Sequence, residues 1–166
     1  MEINKIAVIY GSDSSEWEVS CRSGEFTASR MDGHKFDVYE IFARFGEWTL
    51  VAYRKKNSMR VILPENERPV IDKSDFSVTV GGEKVKFDYA YIMQHGTPGE
   101  NGLMQGYLEM LGVPHSGCNA FVSAITFDKF LFVKFHHRLL LLHCILLTWI
   151  LRIELVDLRL ENLHLS

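Results

Sequence analysis

The chain is poor in cysteine, in proline and in any excess of one charge. Three cysteines, Cys21, Cys118 and Cys144, stand among 166 residues. None has the spacing of a metal-binding pair, so no metal site is expected. An odd count without a signal peptide fits a reducing compartment rather than a disulfide framework. The formal net charge is −3. That balance leaves no cationic footprint for nucleic acid. The opening Met1-Glu2-Ile3-Asn4-Lys5 runs straight into an apolar segment, which leaves no room for a targeting peptide. The expected location is the cytoplasm. The length suits one ordinary domain with its own core.

A second scarcity is local. All twelve glycines and all four prolines lie before residue 118. Leucine shows the opposite bias, with five in residues 1–129 and thirteen in 130–166. The tail reads Phe130-Leu131-Phe132-Val133-Lys134-Phe135-His136-His137-Arg138, then a thirteen-residue, almost wholly apolar stretch from Leu139 to Leu151. No turn signal divides it. It falls short of the roughly 20 residues that span a bilayer, so a membrane partner is not expected. Its histidines and cysteine, His136, His137, His143 and Cys144, match no zinc spacing. A domain boundary is therefore expected at 129/130, with 130–166 an atypical apolar helical tail that packs poorly on what precedes it. An out-of-frame or otherwise aberrant end accounts best for so abrupt a break.

What is present is two glycine-bearing loops, each after an apolar strand and before a helix. Lys5–Tyr10 reads as a buried strand. Gly11-Ser12-Asp13-Ser14-Ser15 breaks it, and Glu16-Trp17-Glu18-Val19-Ser20 opens a helix to about Met31. Ser14 or Ser15 is the expected N-cap, with Glu18 placed for a capping box and Gly33 for the C-terminal cap. The second loop is His95-Gly96-Thr97-Pro98-Gly99-Glu100-Asn101-Gly102, fed by the run Phe87–Met93 and left by a helix from about Gly102 to Leu111. Three glycines and a proline in eight residues exclude a helix or strand interior. A loop beyond the carboxyl end of a strand is where open α/β sheets bind ligands.

Between them the sequence predicts a strand at Phe36–Phe42 and short strands at Glu47–Ala52 and Met59–Leu63. A hairpin follows, Asp75–Val80 and Glu83–Phe87, turned at Gly81-Gly82. Val113–Ser116 reads as a last strand and Ala120 to about Phe135 as a last helix. Among the apolar positions of the first helix are Val19, Phe26 and Ala28. The alternation argues a parallel α/β sheet with helices on both faces. The first strand is expected at its centre, with Glu16 and His95 together at its carboxyl edge.

These loops resemble the D-alanine–D-alanine ligase family. The first matches its Gly-Ser-Ser-Glu-x-Glu-Val-Ser pattern. The second matches its His-Gly-x-x-Gly-Glu-Asp-Gly signature, with Asn101 where the family usually has Asp. Gly112-Val113-Pro114-His115-Ser116-Gly117 and Ala124-Ile125-Thr126-Phe127-Asp128-Lys129 match in turn. The resemblance covers roughly residues 4 to 130. It implies the Rossmann-like domain that precedes an ATP-grasp domain. It implies an enzyme that uses ATP and Mg²⁺ to join two D-alanines for peptidoglycan through an acylphosphate. It implies that Glu16, Val19, Ser20, His95 and Gly96 bind the first D-alanine, that Gly99 and Glu100 support the loop, and that Lys129 meets ATP phosphates. The family's phosphate-clamping and magnesium-binding groups lie beyond the matching region, so this chain alone is expected to be inactive. The resemblance also implies a possible homodimer through this domain.

The alternative from another class is a non-catalytic α/β binding or dimerisation module. A dinucleotide-binding domain is disfavoured, because Gly11-Ser12-Asp13-Ser14-Ser15 lacks the Gly-x-Gly-x-x-Gly spacing.

Overall fold

The computed structural model describes residues 3–142. It begins with β1, Lys5–Gly11, in which every residue after the first is buried. A strand buried on both faces needs a neighbour on each side and a layer above and below. β1 has them. It pairs in parallel with β2, Asp37–Arg44, from Lys5 opposite Asp37 to Gly11 opposite Ala43. On its other side it pairs in parallel with a later strand, Tyr89–Ile92, from Ile6 opposite Tyr89 to Ile9 opposite Ile92.

Beyond β2 the sheet turns antiparallel. β3, Glu47–Arg54, returns through Phe45 and Gly46, both at positive φ, the backbone that a two-residue hairpin requires. β4, Val61–Ile62, adds an edge. β5, Ser77–Val80, and β6, Glu83–Lys86, form a separate hairpin turned at Gly81-Gly82. Tyr89–Ile92 is then β7, and the main sheet runs β4-β3-β2-β1-β7. The sheet is thus mixed: its centre is parallel, as the sequence pattern argues, and the β3–β4 arm is antiparallel.

Alternate residues of β1 feed two apolar layers. Ile6, Val8 and Tyr10 join Val38 and Ala28 on one face. Ala7 and Ile9 join Tyr39, Ile41, Phe76, Met104 and Leu108 on the other. Helix α1, Trp17–Arg30, covers the first face, and α2, Leu103–Met110, covers the second. α1 buries Ser20, Gly24 and Ala28, a stripe of small residues at i, i+4 and i+8. A Cβ on Gly24 would stand 2.2 Å from the Tyr10 ring, so the helix lies close on the sheet there. Val19 and Phe26 consequently point outward, 49% and 62% exposed, rather than into the core.

Several local expectations need correction. α1 takes Glu16 as its N-cap, with no side-chain capping bond, so neither the serine cap nor the Glu18 capping box forms. Its C-cap is Met31 in extended backbone, not Gly33. Arg54 meets the helix end, where its Nη2 donates to the Met31 carbonyl at 2.7 Å. Val113–Ser116 makes a single parallel bridge, His115 with Ala90, because only Ala90 N–H to Pro114 O and Ser116 N–H to Ala90 O are exchanged. Helix α3 is Ala120–Phe127. It does not run on to residue 135.

A second compact unit begins at Asp128. There Asp128 Oδ1 accepts the N–H groups of Phe130 and Leu131, capping a helix over 129–142. The part of the apolar tail after residue 142 lies outside the described residues. Among the described residues no helix is long and apolar enough to cross a membrane.

Candidate functional site at the carboxyl edge

Parallel neighbours end on the same side, so the loops after β1 and β7 emerge next to each other. The chain fixes their separation with hydrogen bonds between them. Asp13 N–H donates to Thr97 O at 2.9 Å. Ser14 Oγ donates to His95 O at 2.8 Å and accepts the Glu16 N–H at 3.1 Å. A hydroxyl has one proton, so in the 3.0 Å contact between Ser12 Oγ and Ser14 Oγ the donor is Ser12. Ser14 therefore sets the backbone of both Glu16 and His95.

Two glycines allow this approach. Gly11 has φ +100, and a Cβ there would stand 2.7 Å from Ala43 O. Gly96 has φ +72, and its Cβ would stand 2.8 Å from the Ser14 Cβ. The second loop closes on itself as well. Gly96 N–H donates to Glu100 Oε2 at 2.9 Å, and Glu100 N–H returns to Gly96 O at 2.8 Å. Asn101 bridges to Thr97 Oγ1 and accepts the Leu103 N–H at the start of α2. An amide serves both contacts, and neither needs the charge of an aspartate.

The structure brings Glu16, His95, Gly96, Gly99 and Glu100 to this one edge. Glu16 is exposed, and His95 and Gly96 are half-buried. Ser20 differs from its expected role. It is fully buried, it accepts Gly11 N–H at 3.0 Å and it donates to Met93 O at 2.7 Å. With its hydroxyl engaged at both ends it ties β1 to β7 and presents nothing to a ligand. Val19 lies half-exposed on α1. Lys129 opens the helix of the second unit.

The sequence reading overlooks two glutamines. Gln94 and Gln105 are 5% and 3% exposed. Gln94 Nε2 donates to Ala43 O at 3.1 Å, and Gln105 Nε2 donates to Gly99 O at 2.6 Å. They flank the signature loop, and their amides hold it from below. The available signal was their position, one just before His95 and one three residues after Gly102.

Burial raises the Cys21 thiol above its ordinary range, which makes it a poor nucleophile. Among the described residues no group of three or more His, Cys, Asp or Glu side chains could hold a metal ion. A nucleoside triphosphate needs converging cationic or N–H donors. This edge offers the Glu16 carboxylate and an imidazole, and the nearby Arg44 guanidinium is stacked on the Trp17 and Phe45 rings, so the groups present do not fit a phosphate cradle.

Comparison with known proteins places the chain among relatives. The family model described as D-ala D-ala ligase N-terminus matches residues 5–118. The D-alanine–D-alanine ligase of Phocaeicola vulgatus is 44% identical over 125 residues, which is 75% of this chain and 35% of that protein. The chain thus spans about a third of the length of the curated relatives it matches. Among solved structures, VanG D-Ala:D-Ser ligase from Enterococcus faecalis has a TM-score of 0.62 at 30% identity, covering 76% of this chain and 39% of that one. D-alanine–D-alanine ligase from Bacillus anthracis, solved in complex with ATP, has a TM-score of 0.52 at 28% identity, covering 79% and 35%.

Proposed function

The chain belongs to the D-alanine–D-alanine ligase family through its N-terminal domain, and from that premise we propose that its carboxyl edge is one wall of a D-alanine site. The whole protein's proposed activity is the ATP-dependent joining of two D-alanines for peptidoglycan, with Mg²⁺ assisting the phosphates. This chain supplies neither the phosphate cradle nor a metal site among its described residues. Its proposed contribution is to hold and orient one amino acid.

The observation that carries the reading is the direct bonding of the two loops, Ser14 Oγ to His95 O and Asp13 N–H to Thr97 O. It fixes a carboxylate and an imidazole on neighbouring backbones. Glu16 accepts the ammonium of the amino acid through charge-assisted hydrogen bonds. His95 lies across from it, on a loop held by Gly96 and Glu100. Fixing both backbones before the ligand arrives lowers the ordering cost of binding. Ser20 acts indirectly, by joining the strand ends.

The test is an NMR titration of the ¹⁵N-labelled chain with D-alanine. Shifts are expected at the amides of Glu16, His95 and Gly96, and Glu16→Gln is expected to remove them. Equal shifts with L-alanine, or shifts that survive Glu16→Gln, would overturn the proposal. The same chain is expected to form no D-alanyl-D-alanine from ATP and D-alanine.

A further inference from the structure

The expectation of no membrane partner rests on the length needed to span a bilayer. A helix can also lie in the plane of a bilayer surface, where what matters is the arrangement of side chains around its axis. The helix over 129–142 in the second unit has a suitable arrangement. At about 100° per residue, Leu131, Leu142, Phe135, Leu139 and Phe132 fall in that order on one arc about 100° wide. No polar residue interrupts it. The five side chains are 46% to 63% exposed, so the arc is open.

Cationic groups border this arc on both sides. Arg138 stands at one margin, with Lys134 beyond it. His136 and Lys129 stand at the other, and all four are exposed. The Phe132 and His136 rings stack at 6.1 Å, which keeps the imidazole beside the end of the arc. Lys134 Nζ lies 4.6 Å from the centroid of the Phe130 ring. The remaining surface mixes His137 with Val133, Leu140, Phe130 and Leu141, so only one arc is free of polar groups. No Asp or Glu occurs from residue 129 to residue 153. Asp128, just before the helix, is engaged as its cap.

An apolar arc between two cationic margins fits an anionic bilayer. The apolar groups enter the acyl boundary while the long basic side chains reach back to the phosphates. The same arc fits a second copy poorly. Contact between two arcs would bring like-charged margins together, with no carboxylate on either helix to pair with them.

We propose that the helix over 129–142 is a peripheral membrane-binding element that lies in the surface of an anionic bilayer with this arc turned inward. The proposal stands apart from the Glu16 and His95 edge and holds whether or not that edge binds D-alanine.

The experiment is flotation of the full chain in a density gradient with liposomes of equimolar phosphatidylglycerol and phosphatidylcholine, against liposomes of phosphatidylcholine alone. Aggregated protein does not float, so flotation reports binding. The chain is expected to float with the anionic liposomes, and to partition about tenfold or more weakly into the neutral ones. Added salt is expected to narrow that difference. Lys134→Gln together with Arg138→Gln is expected to weaken partition into the anionic liposomes about thirtyfold. Phe135→Gln, at the centre of the arc, is expected to weaken it about tenfold or more. Leu140→Gln, outside the arc, is expected to leave it unchanged.

No flotation of the parent chain, equal flotation with both liposomes, or equal losses from the Phe135 and Leu140 variants would overturn the proposal. So would a stable dimer in sedimentation velocity that Phe135→Gln dissociates, because a second copy would then cover the arc.

Discussion

The two ends of the sheet handle polar groups in opposite ways. At the amino end charges are paired with neighbours. Asp88 Oδ2 accepts both Asn4 and Lys5 N–H at 2.9 Å, Asp37 accepts Lys56 N–H, and His34 meets Asn57. At the carboxyl end neutral groups do most of the tying, beside the Asp13 and Glu100 carboxylates, which accept the Phe45 and Gly96 N–H groups. Ser12, Ser14, Ser20, Gln94 and Gln105 bond to backbone or to each other. Glu16 and His95 are thereby left available to something outside the fold. Where neutral groups carry the internal bonds, charge remains for recognition; where charges carry them, little remains. The end with unengaged charge is also the end that open α/β sheets use for ligands.

The largest break in this contrast should come from the carboxyl end. Gly11→Ala forces a Cβ into Ala43 O at a φ of +100, combining backbone strain with a backbone clash. A loss of about 2–4 kcal/mol is expected, read as a lowered urea midpoint. Any D-alanine response should vanish with it. A variant as stable as the parent would show that the loop bends more readily than its packing implies.

Ser20→Ala and Asp88→Ala compare the two ends directly. Ser20→Ala strands a buried N–H at Gly11 and a carbonyl at Met93, and is expected to cost about 2–3 kcal/mol. Asp88→Ala frees two part-buried N–H groups that water can reach, and is expected to cost about 1–2 kcal/mol. Urea unfolding of both variants decides the order. A larger loss for Asp88 would reverse the contrast.

The smallest effect is expected from acid, at the β5–β6 hairpin. The Ser77 hydroxyl, Lys84 and Lys86 hold the Asp75 carboxyl well below the usual carboxylate range. A depressed pKa stabilises the fold while the group is ionised. The contribution is therefore complete above about pH 5 and is lost as pH falls through the folded pKa. The stability gap between the parent and Asp75→Asn should narrow between about pH 5 and about pH 2. A gap independent of pH would remove Asp75 from the account.

Both loops, the parallel pair around β1 and the hairpin at Gly81-Gly82 were legible because their signals are local. Gly-rich breaks and apolar runs need no knowledge of what lies across the sheet. The α1 face was not legible in that way. Its buried stripe is Ser20, Gly24 and Ala28, chosen by the nearness of the Tyr10 ring, while Val19 and Phe26 face out. Hydrophobic periodicity has no means of finding a face built from small residues. Ser20 read as a ligand contact for a similar reason, since its true partners are 9 and 73 positions away. Gly33 looked like a helix cap, but Arg54 reaches the end of α1 instead. Gln94 and Gln105 escaped notice because a buried amide announces itself only when its surroundings are known.

The pairing of β1 with β7 has a consequence for how the chain assembles. Ser14 and His95 are 81 positions apart, and Asn4 and Asp88 are 84 apart. The β2–β3 and β5–β6 hairpins lie in the span between them and close over short distances. Contacts of high sequence separation form slowly. During synthesis β1 therefore emerges first, yet one of its edges must wait for most of the domain. Until β7 arrives, that edge is an open row of backbone donors and acceptors beside apolar side chains, a template for pairing with another chain. The two loops meet only at that last closure, so the arrival of β7 completes the sheet and creates the ligand edge in a single step.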